Sequence, residues 1–381
     1  MSVLDIETGD DSDSLHVSLP SVRLVSTVLS HVSYTTEVVM GEAAGLTVVV
    51  LAGGRATRLR PLSDSRPKGL VPVVNRPFLE HVIDYFKSYG IVSVVFALGH
   101  AAEEVQRELG DGESLGMAVY YSVEDEPLGT AGAVRPVERL LKDTFLVYNG
   151  DIYTSIPIDR LVALHRRNNA VATLALTPVD DPSQYGVVET DGGGRVRRFL
   201  EKPTFGATSA NTINAGIYVL QPEMLELVGP GYTMFETDVF PALIRSGAGV
   251  YGHAFDSYWI DIGIPDNYLK LNLAMAEGVV GRAQAGGGAV IGAGTQVAPT
   301  ARLVSPVVIG PGTEVLTGAE VVKSVLWEGC TIGKGAIVRQ SVIADGVVIG
   351  ADCSVTRCVL GQGVCIPADT VLEDARLPEP R

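Results

Sequence analysis

Leu46-Thr-Val-Val-Val-Leu-Ala52 is followed at once by Gly53-Gly54. An unbroken β-branched apolar run has no polar side to turn to water, so it reads as a strand buried on both faces, as in a parallel sheet. The glycine pair ends the strand and lets backbone N–H groups come close to a phosphate or base. Outward from it, residues 78–89 place Leu79, Val82, Ile83 and Phe86 at helical spacing, 91–99 is a second apolar strand, and 101–109 is a short helix. The alternation continues through a strand at 118–124, a helical stretch through Glu138 and Leu141, and a strand at 144–152. Strand and helix taking turns predict a doubly wound α/β sheet. Over 186–220 the pattern changes to strand, Gly-rich hairpin at 191–194, strand and strand, which reads as an insertion or lid-like half. Helices return at 237–246 and 265–277, and the Gly-rich stretch 278–288 reads as a linker.

Beyond the linker an aliphatic residue followed by a small one recurs in steps of six. Ile291-Gly-Ala-Gly-Thr-Gln leads to Val297, Ile309-Gly-Pro-Gly-Thr-Glu to Val315, Ile332-Gly-Lys-Gly-Ala-Ile to Val338, and Ile349-Gly-Ala-Asp-Cys-Ser to Val355. Such a rhythm suits a triangular parallel β-helix, each side turning its aliphatic residue inward. It resembles the left-handed helix of hexapeptide repeats. The expected domains are therefore 45–280, carrying the sheet, and 288–372, carrying the β-helix. Residues 1–44 show no period and are read as a disordered tail or an over-called start, with Met40 just before the first strand.

Composition narrows the function. A net charge of −15 argues against a nucleic-acid partner, because a phosphate backbone needs a broad basic face. Phosphates, if bound, must be met by a few placed Arg and Lys residues. The four cysteines, Cys330, Cys353, Cys358 and Cys365, have neither metal-ligand spacing nor nearby His, and read as buried free thiols of a reducing compartment. No run reaches the roughly 18 apolar residues of a membrane span. The start Asp5-Ile-Glu-Thr-Gly-Asp-Asp-Ser-Asp13 is acidic where a secretory signal is basic, so a cytoplasmic protein is expected.

The residues after the first strand carry the chemistry. Leu51-Ala-Gly-Gly-Arg-Ala-Thr-Arg58-Leu-Arg-Pro-Leu-Ser precedes Arg66-Pro-Lys68-Gly-Leu-Val-Pro-Val, and Arg58 and Lys68 can neutralise triphosphate charge. The stretch fits neither GxGxxG nor the Walker GxxxxGK[ST]. It resembles the nucleotidyl-sugar pyrophosphorylase signature GGxGTRLRPLT…PKPLVPV, with Ala56 for the third glycine, Ser63 for threonine and Gly69 for the second proline. Tyr148-Asn-Gly-Asp151 and Tyr258-Trp-Ile-Asp261-Ile-Gly-Ile-Pro resemble the two elements whose aspartates hold Mg²⁺ in that family, and carboxylates are the hard ligands Mg²⁺ prefers. Pro127-Leu-Gly129-Thr130-Ala-Gly matches the family's nucleotide loop, which with Leu51, Ala52, Gly53 and Gly54 would meet base and ribose. Asp181-Pro-Ser-Gln-Tyr185-Gly186-Val-Val, Glu201-Lys202-Pro and Ile213-Asn214-Ala-Gly resemble its sugar-phosphate side, with Lys202 on the phosphate and Tyr185, Gly186, Glu201 and Asn214 around the sugar.

The resemblance implies a Rossmann-like nucleotidyltransferase domain followed by a left-handed β-helix, and a Mg²⁺-dependent reaction of a nucleoside triphosphate with a sugar 1-phosphate. The matched motifs look most like mannose-1-phosphate guanylyltransferases, which favours GTP; uridylyl or thymidylyl transfer to glucose 1-phosphate is the alternative. Acyl transfer by the β-helix is disfavoured because all six His precede the repeats. A silent regulatory paralogue would be expected to lose a phosphate or metal position, yet Arg58, Lys68, Asp151 and Asp261 are all present. The β-helix is expected to build a homo-oligomer.

Overall fold

The computed structural model describes residues 24–25, 41–204, 206–281 and 288–379. Most of the expected tail, and residues 282–287 of the expected linker, lie outside the described residues. The chain forms two compact units: Met1–Gly54, Ile83–Gly150 and Ile156–Ser257 make one, and Arg55–Val82, Asp151–Ser155 and Tyr258–Arg381 the other. Each is assembled from separate stretches.

The first unit is built on the sheet. Ala118–Val123, Ser93–Leu98, Thr47–Leu51 and Phe145–Asn149 lie side by side in that order and run parallel. Val48, Val49 and Val50 are fully buried in the middle of them, as the all-apolar run requires. The strands over 186–220 are not a separate lid. Thr212–Leu220 pairs antiparallel with Phe145–Asn149 and Ala172–Pro178, and Gly186–Thr190 and Val196–Glu201 extend the same sheet. The reason is burial: seven of the nine residues of Thr212–Leu220 are buried, so the strand needs neighbours on both edges. Its register shifts between Asn214 and Tyr218, where Gly216 has a φ of 72° and a Cβ would lie 2.6 Å from the Asn149 side-chain nitrogen. Only glycine fits that crossing.

The second unit contains the β-helix. Three parallel sheets of short strands stack coil on coil, starting at Ala289–Ile291, Gln296–Val297 and Arg302–Val304. In-register partners lie 18 residues apart in the first coil, Ala289 with Val307, and 17 thereafter, Val308 with Val325 and Val325 with Val342. The steady six-residue period expected from the repeats holds through the first coil and is shortened once in each later coil. Inward residues show where: Val315 to Val321 and Leu326 to Ile332 keep the step, while Val321 to Leu326 and Val338 to Ile343 drop one residue. Each short corner holds a non-glycine residue with positive φ, namely Lys323, Gln340, Arg357 and Asp374. Three of the four cysteines line the interior and only Cys365 is exposed. Burial pushes the Cys330 thiol up to about 12, which makes it inert filling rather than a nucleophile.

The helix Pro265–Ala276 belongs to this unit and packs on the strands Val307–Ile309 and Val325–Leu326. Tyr268 and Trp327 are both buried there, with the indole N–H donating to the Tyr268 hydroxyl at 2.8 Å and that hydroxyl donating to the Pro72 carbonyl.

Candidate active site

Within the second unit a two-stranded ribbon aligns the candidate metal ligands. Ile152–Thr154 pairs antiparallel with Trp259–Asp261, Asp261 lying opposite Ile152, and the Ile262 N–H donates to the Asp151 carbonyl at 2.9 Å. Asp151 and Asp261 thus sit at one end of the ribbon. Lys68 donates to Asp151 Oδ2 at 2.7 Å, and the Gly263 N–H donates to Asp261 Oδ1 at 2.6 Å. Gly263 marks the meeting point: a Cβ there would lie 2.7 Å from Asp261 Oδ1, 3.1 Å from Arg58 Nη2 and 3.3 Å from Lys68 Nζ. Arg58, Lys68, Asp151 and Asp261, far apart in sequence, converge. Gly263 escaped notice as a functional position, although it stands in the quoted Trp-Ile-Asp-Ile-Gly element; its lack of a side chain leaves room for the two cations.

The signature loop is held from behind by the β-helix. Arg66, two residues before Lys68, donates to Asp345 Oδ2 at 2.8 Å and lies over the Trp327 ring at 5.4 Å. Asn75 donates to the Ile309 carbonyl at 2.9 Å. Ala56 takes the left-handed conformation, φ 51° and ψ 36°, and its carbonyl accepts the Ser63 hydroxyl. Alanine therefore keeps a backbone shape that glycine reaches more freely, at a cost of about 1 kcal/mol.

The first unit carries the other candidates. The Ala52 N–H donates to the Ala97 carbonyl, and the Leu51 carbonyl accepts the Gly150 N–H. Gly53 approaches Gly99 so closely that a Cβ on Gly99 would lie 2.9 Å from the Gly53 carbonyl oxygen; Gly54 is open. Pro127 is exposed, while Gly129 and Thr130 are packed on the 231–236 segment. A Cβ on Gly129 would lie 2.5 Å from the Thr233 carbonyl oxygen. This loop is small because another backbone lies against it, and it is less free than its composition suggests. On the sugar side Gly186 pairs with Glu201, and the Lys202 N–H donates to the Tyr185 carbonyl. Lys202 has φ 42°, its side chain is 65% exposed, and its ammonium stands 3.7 Å from Glu201. Asn214 donates to the Tyr218 hydroxyl at 2.7 Å and accepts the Gly216 N–H.

Sequence reading missed Glu236. It is 8% exposed, accepts the Thr130 hydroxyl at 2.7 Å and faces the Tyr218 hydroxyl at 3.3 Å. Burial pushes its carboxyl above the ordinary range, while the Thr130 hydrogen bond pulls it back. No motif advertised it, since Phe235-Glu-Thr-Asp reads as the start of an ordinary helix.

Among the described residues no three His, Cys, Asp or Glu side chains come together as an all-protein metal cage. Two carboxylates with nearby cations instead suit an ion that takes its remaining ligands from water and phosphate. No helix among the described residues is long and apolar enough to cross a membrane.

Comparison with known proteins agrees with this layout. The nucleotidyl transferase family model matches residues 47–278, and the model of the EIF2B subunit epsilon LbH domain matches 284–377. Mannose-1-phosphate guanylyltransferase of Mycobacterium tuberculosis is 36% identical over 290 residues, 74% of this chain and 80% of that protein. The catalytic subunit beta of mannose-1-phosphate guanylyltransferase from Drosophila pseudoobscura is 37% identical over 59% of this chain and 61% of its own. HddC from Yersinia pseudotuberculosis, solved in complex with GMP-PN, superposes with a TM-score of 0.53 at 28% identity, covering 60% of this chain and 98% of that one. The chain belongs to the nucleotidyl transferase family and is a nucleotidyltransferase carrying a C-terminal left-handed β-helix.

Proposed function

We propose that this nucleotidyltransferase makes GDP-mannose and pyrophosphate from GTP and mannose 1-phosphate in the cytoplasm. The observation that supports it most is the convergence of Arg58, Lys68, Asp151 and Asp261 around Gly263. Two cations beside two carboxylates suit a polyphosphate and its metal, and a single displacement at phosphorus requires no protein nucleophile. The choice of guanine and mannose rests on relatives named for that reaction and on the GMP-PN bound to HddC.

In this reading a sugar-phosphate oxygen attacks the α-phosphorus in line, the new P–O bond forms, and the bond to pyrophosphate breaks. Arg58 and Lys68 hold the triphosphate and offset the charge gathering on it. The N–H groups at Leu51 to Gly54 and the loop of Pro127, Gly129 and Thr130 frame the nucleoside. Lys202 meets the sugar's phosphate, while Tyr185, Gly186, Glu201 and Asn214 orient its hydroxyls, so that the gain is largely one of placement. Asp151 and Asp261 would hold Mg²⁺, which when bound supplies Lewis-acid charge neutralisation at the phosphates. Copies of the chain associate through the β-helix, which exposes Leu316, Val348 and Val371 on its surface. Light scattering checks this, a single-chain mass contradicting it.

Pyrophosphate release across four nucleoside triphosphates and several sugar 1-phosphates tests the substrate choice. GTP with mannose 1-phosphate should lead. A lead by UTP or dTTP with glucose 1-phosphate would overturn the assignment while leaving the reaction class standing.

A further inference from the structure

The buried carboxyl of Glu236 is the meeting point of two hydrogen-bond chains. On one arm the Phe235 N–H donates to Thr130 Oγ1 at 2.8 Å, and the Thr130 hydroxyl donates to Glu236 Oε2 at 2.7 Å. On the other, the Gly216 N–H donates to Asn214 Oδ1 at 3.0 Å and so orients the amide. Asn214 Nδ2 then donates to the Tyr218 oxygen at 2.7 Å, and the Tyr218 hydroxyl donates to Glu236 Oε1 at 3.3 Å. Both arms end on an acceptor. The first arm passes through the nucleotide loop at Thr130, and the second starts on the sugar-side strand at Gly216.

All six residues lie in the first unit, and Glu236 and Tyr218 at the centre are buried. Tyr218 is fully buried, and its ring stands edge-on to Phe240 at 5.0 Å and tilted to Phe235 at 5.4 Å. A carboxyl among aromatic rings is costly to keep unless it is well bonded, so a purely structural position would more economically hold an apolar residue. Thr130 is committed twice over, which leaves the loop only backbone and shape to offer a nucleoside. Asn214 is likewise fixed before any ligand arrives.

We propose that Glu236 is a positioning residue that ties the nucleotide loop at Thr130 to the sugar-side strand at Asn214, so that the two substrates are bound interdependently. The inference rests on the assignment of those two segments to nucleoside and sugar. Gln in its place keeps size and shape but has one acceptor where two are needed, and so breaks one arm. Tyr218→Phe removes the hydroxyl that carries the sugar arm, and with it both the Asn214 and the Glu236 bonds, while the Thr130 arm stays intact. The device therefore separates the two substrates by which variant is made.

The test measures KM for each substrate, and the affinity for sugar 1-phosphate with and without a saturating non-reactive triphosphate analogue. Wild type should bind the sugar phosphate several-fold tighter when the analogue is present. Tyr218→Phe should abolish that enhancement and raise KM for the sugar phosphate about tenfold, the triphosphate KM staying within twofold. Glu236→Gln should abolish it and lower kcat, and Glu236→Asp should recover part of it. Hydrogen exchange of the ligand-free protein supplies a readout that needs no substrate: residues 127–132 and 212–216 should both exchange faster in Glu236→Ala, or, should that variant be unfolded, at least one of them in Glu236→Gln. Unchanged exchange in a folded Glu236→Gln, or enhancement retained in Tyr218→Phe, overturns the proposal. If the exchange changes appear but wild type uses no sugar 1-phosphate at all, the tie stands and the assignment of the substrates falls.

Discussion

The two units of this chain solve different physical problems. In the sheet unit most candidate residues offer backbone and shape, Gly53 against Gly99, Gly129 against Thr233 and Gly186 against Phe199, with Glu201 and Lys202 the charged pair among them. In the β-helix unit they act through charge, with Lys68 on Asp151 and Arg58 beside Asp261's glycine, and a loop braced by Arg66 on Asp345 and Trp327. Shape decides how well substrates are held in both ground and transition states, whereas charge acts most where charge develops. Changes in the β-helix unit should therefore fall on kcat, and changes in the sheet unit on KM, except at Glu236, whose tie between the two substrate segments reaches kcat as well.

The largest effect should come from the carboxylates. Asp151→Asn or Asp261→Asn should lower kcat by about a hundredfold or more, and chelator should abolish wild-type turnover. Full turnover in excess chelator would break the comparison at its strongest point. Next, Lys202→Ala should raise KM for the sugar 1-phosphate about tenfold, since one charge-assisted hydrogen bond is lost, and leave triphosphate binding alone. Calorimetry showing equal loss for both substrates would refute its placement.

A smaller change sharpens the role of the β-helix. Arg66→Lys keeps the charge but loses the planar group over Trp327, and kcat should fall by roughly threefold to tenfold with both KM values steady. A KM effect without a kcat effect would show that the brace serves binding instead. The smallest concerns stability alone. His165 is fully buried between Thr173 and Gln221, and burial, with the nearby Arg166 charge, lowers its pKa to about 4. Its neutral form is the folded form, so its contribution is present in full above the ordinary value of 6.5 and is lost as pH falls towards 4. Over that window wild type should lose on the order of 2 kcal/mol relative to His165→Asn, measured by denaturant unfolding.

The central strand was legible because Leu46 to Ala52 has no polar face, and the β-helix because inward positions recur. The rhythm of six, six and five was hidden, since the dropped residue falls at corners such as Lys323 and Gln340, where no special residue type announces a left-handed turn. The strands over 186–220 were misread as a lid because pairing partners cannot be read from alternation alone, and Thr212–Leu220 finds partners in Phe145–Asn149 that lie 69 to 75 residues away in the chain. Charged motifs such as Arg58, Lys68, Asp151 and Asp261 were visible by type and context. Glu236 and the Arg66–Asp345 pair, 279 residues apart, were not, because their meaning lies in what tertiary structure brings beside them.

The account's central claim is that the substrate's own phosphate oxygen displaces pyrophosphate while the protein supplies placement and charge. A triphosphate made chiral at the α-phosphorus by sulfur substitution tests this in one experiment, since a single in-line displacement inverts that centre. Inversion in the isolated nucleotide sugar is the result expected; retention would mean two displacements through a nucleotidylated side chain, and would contradict the claim.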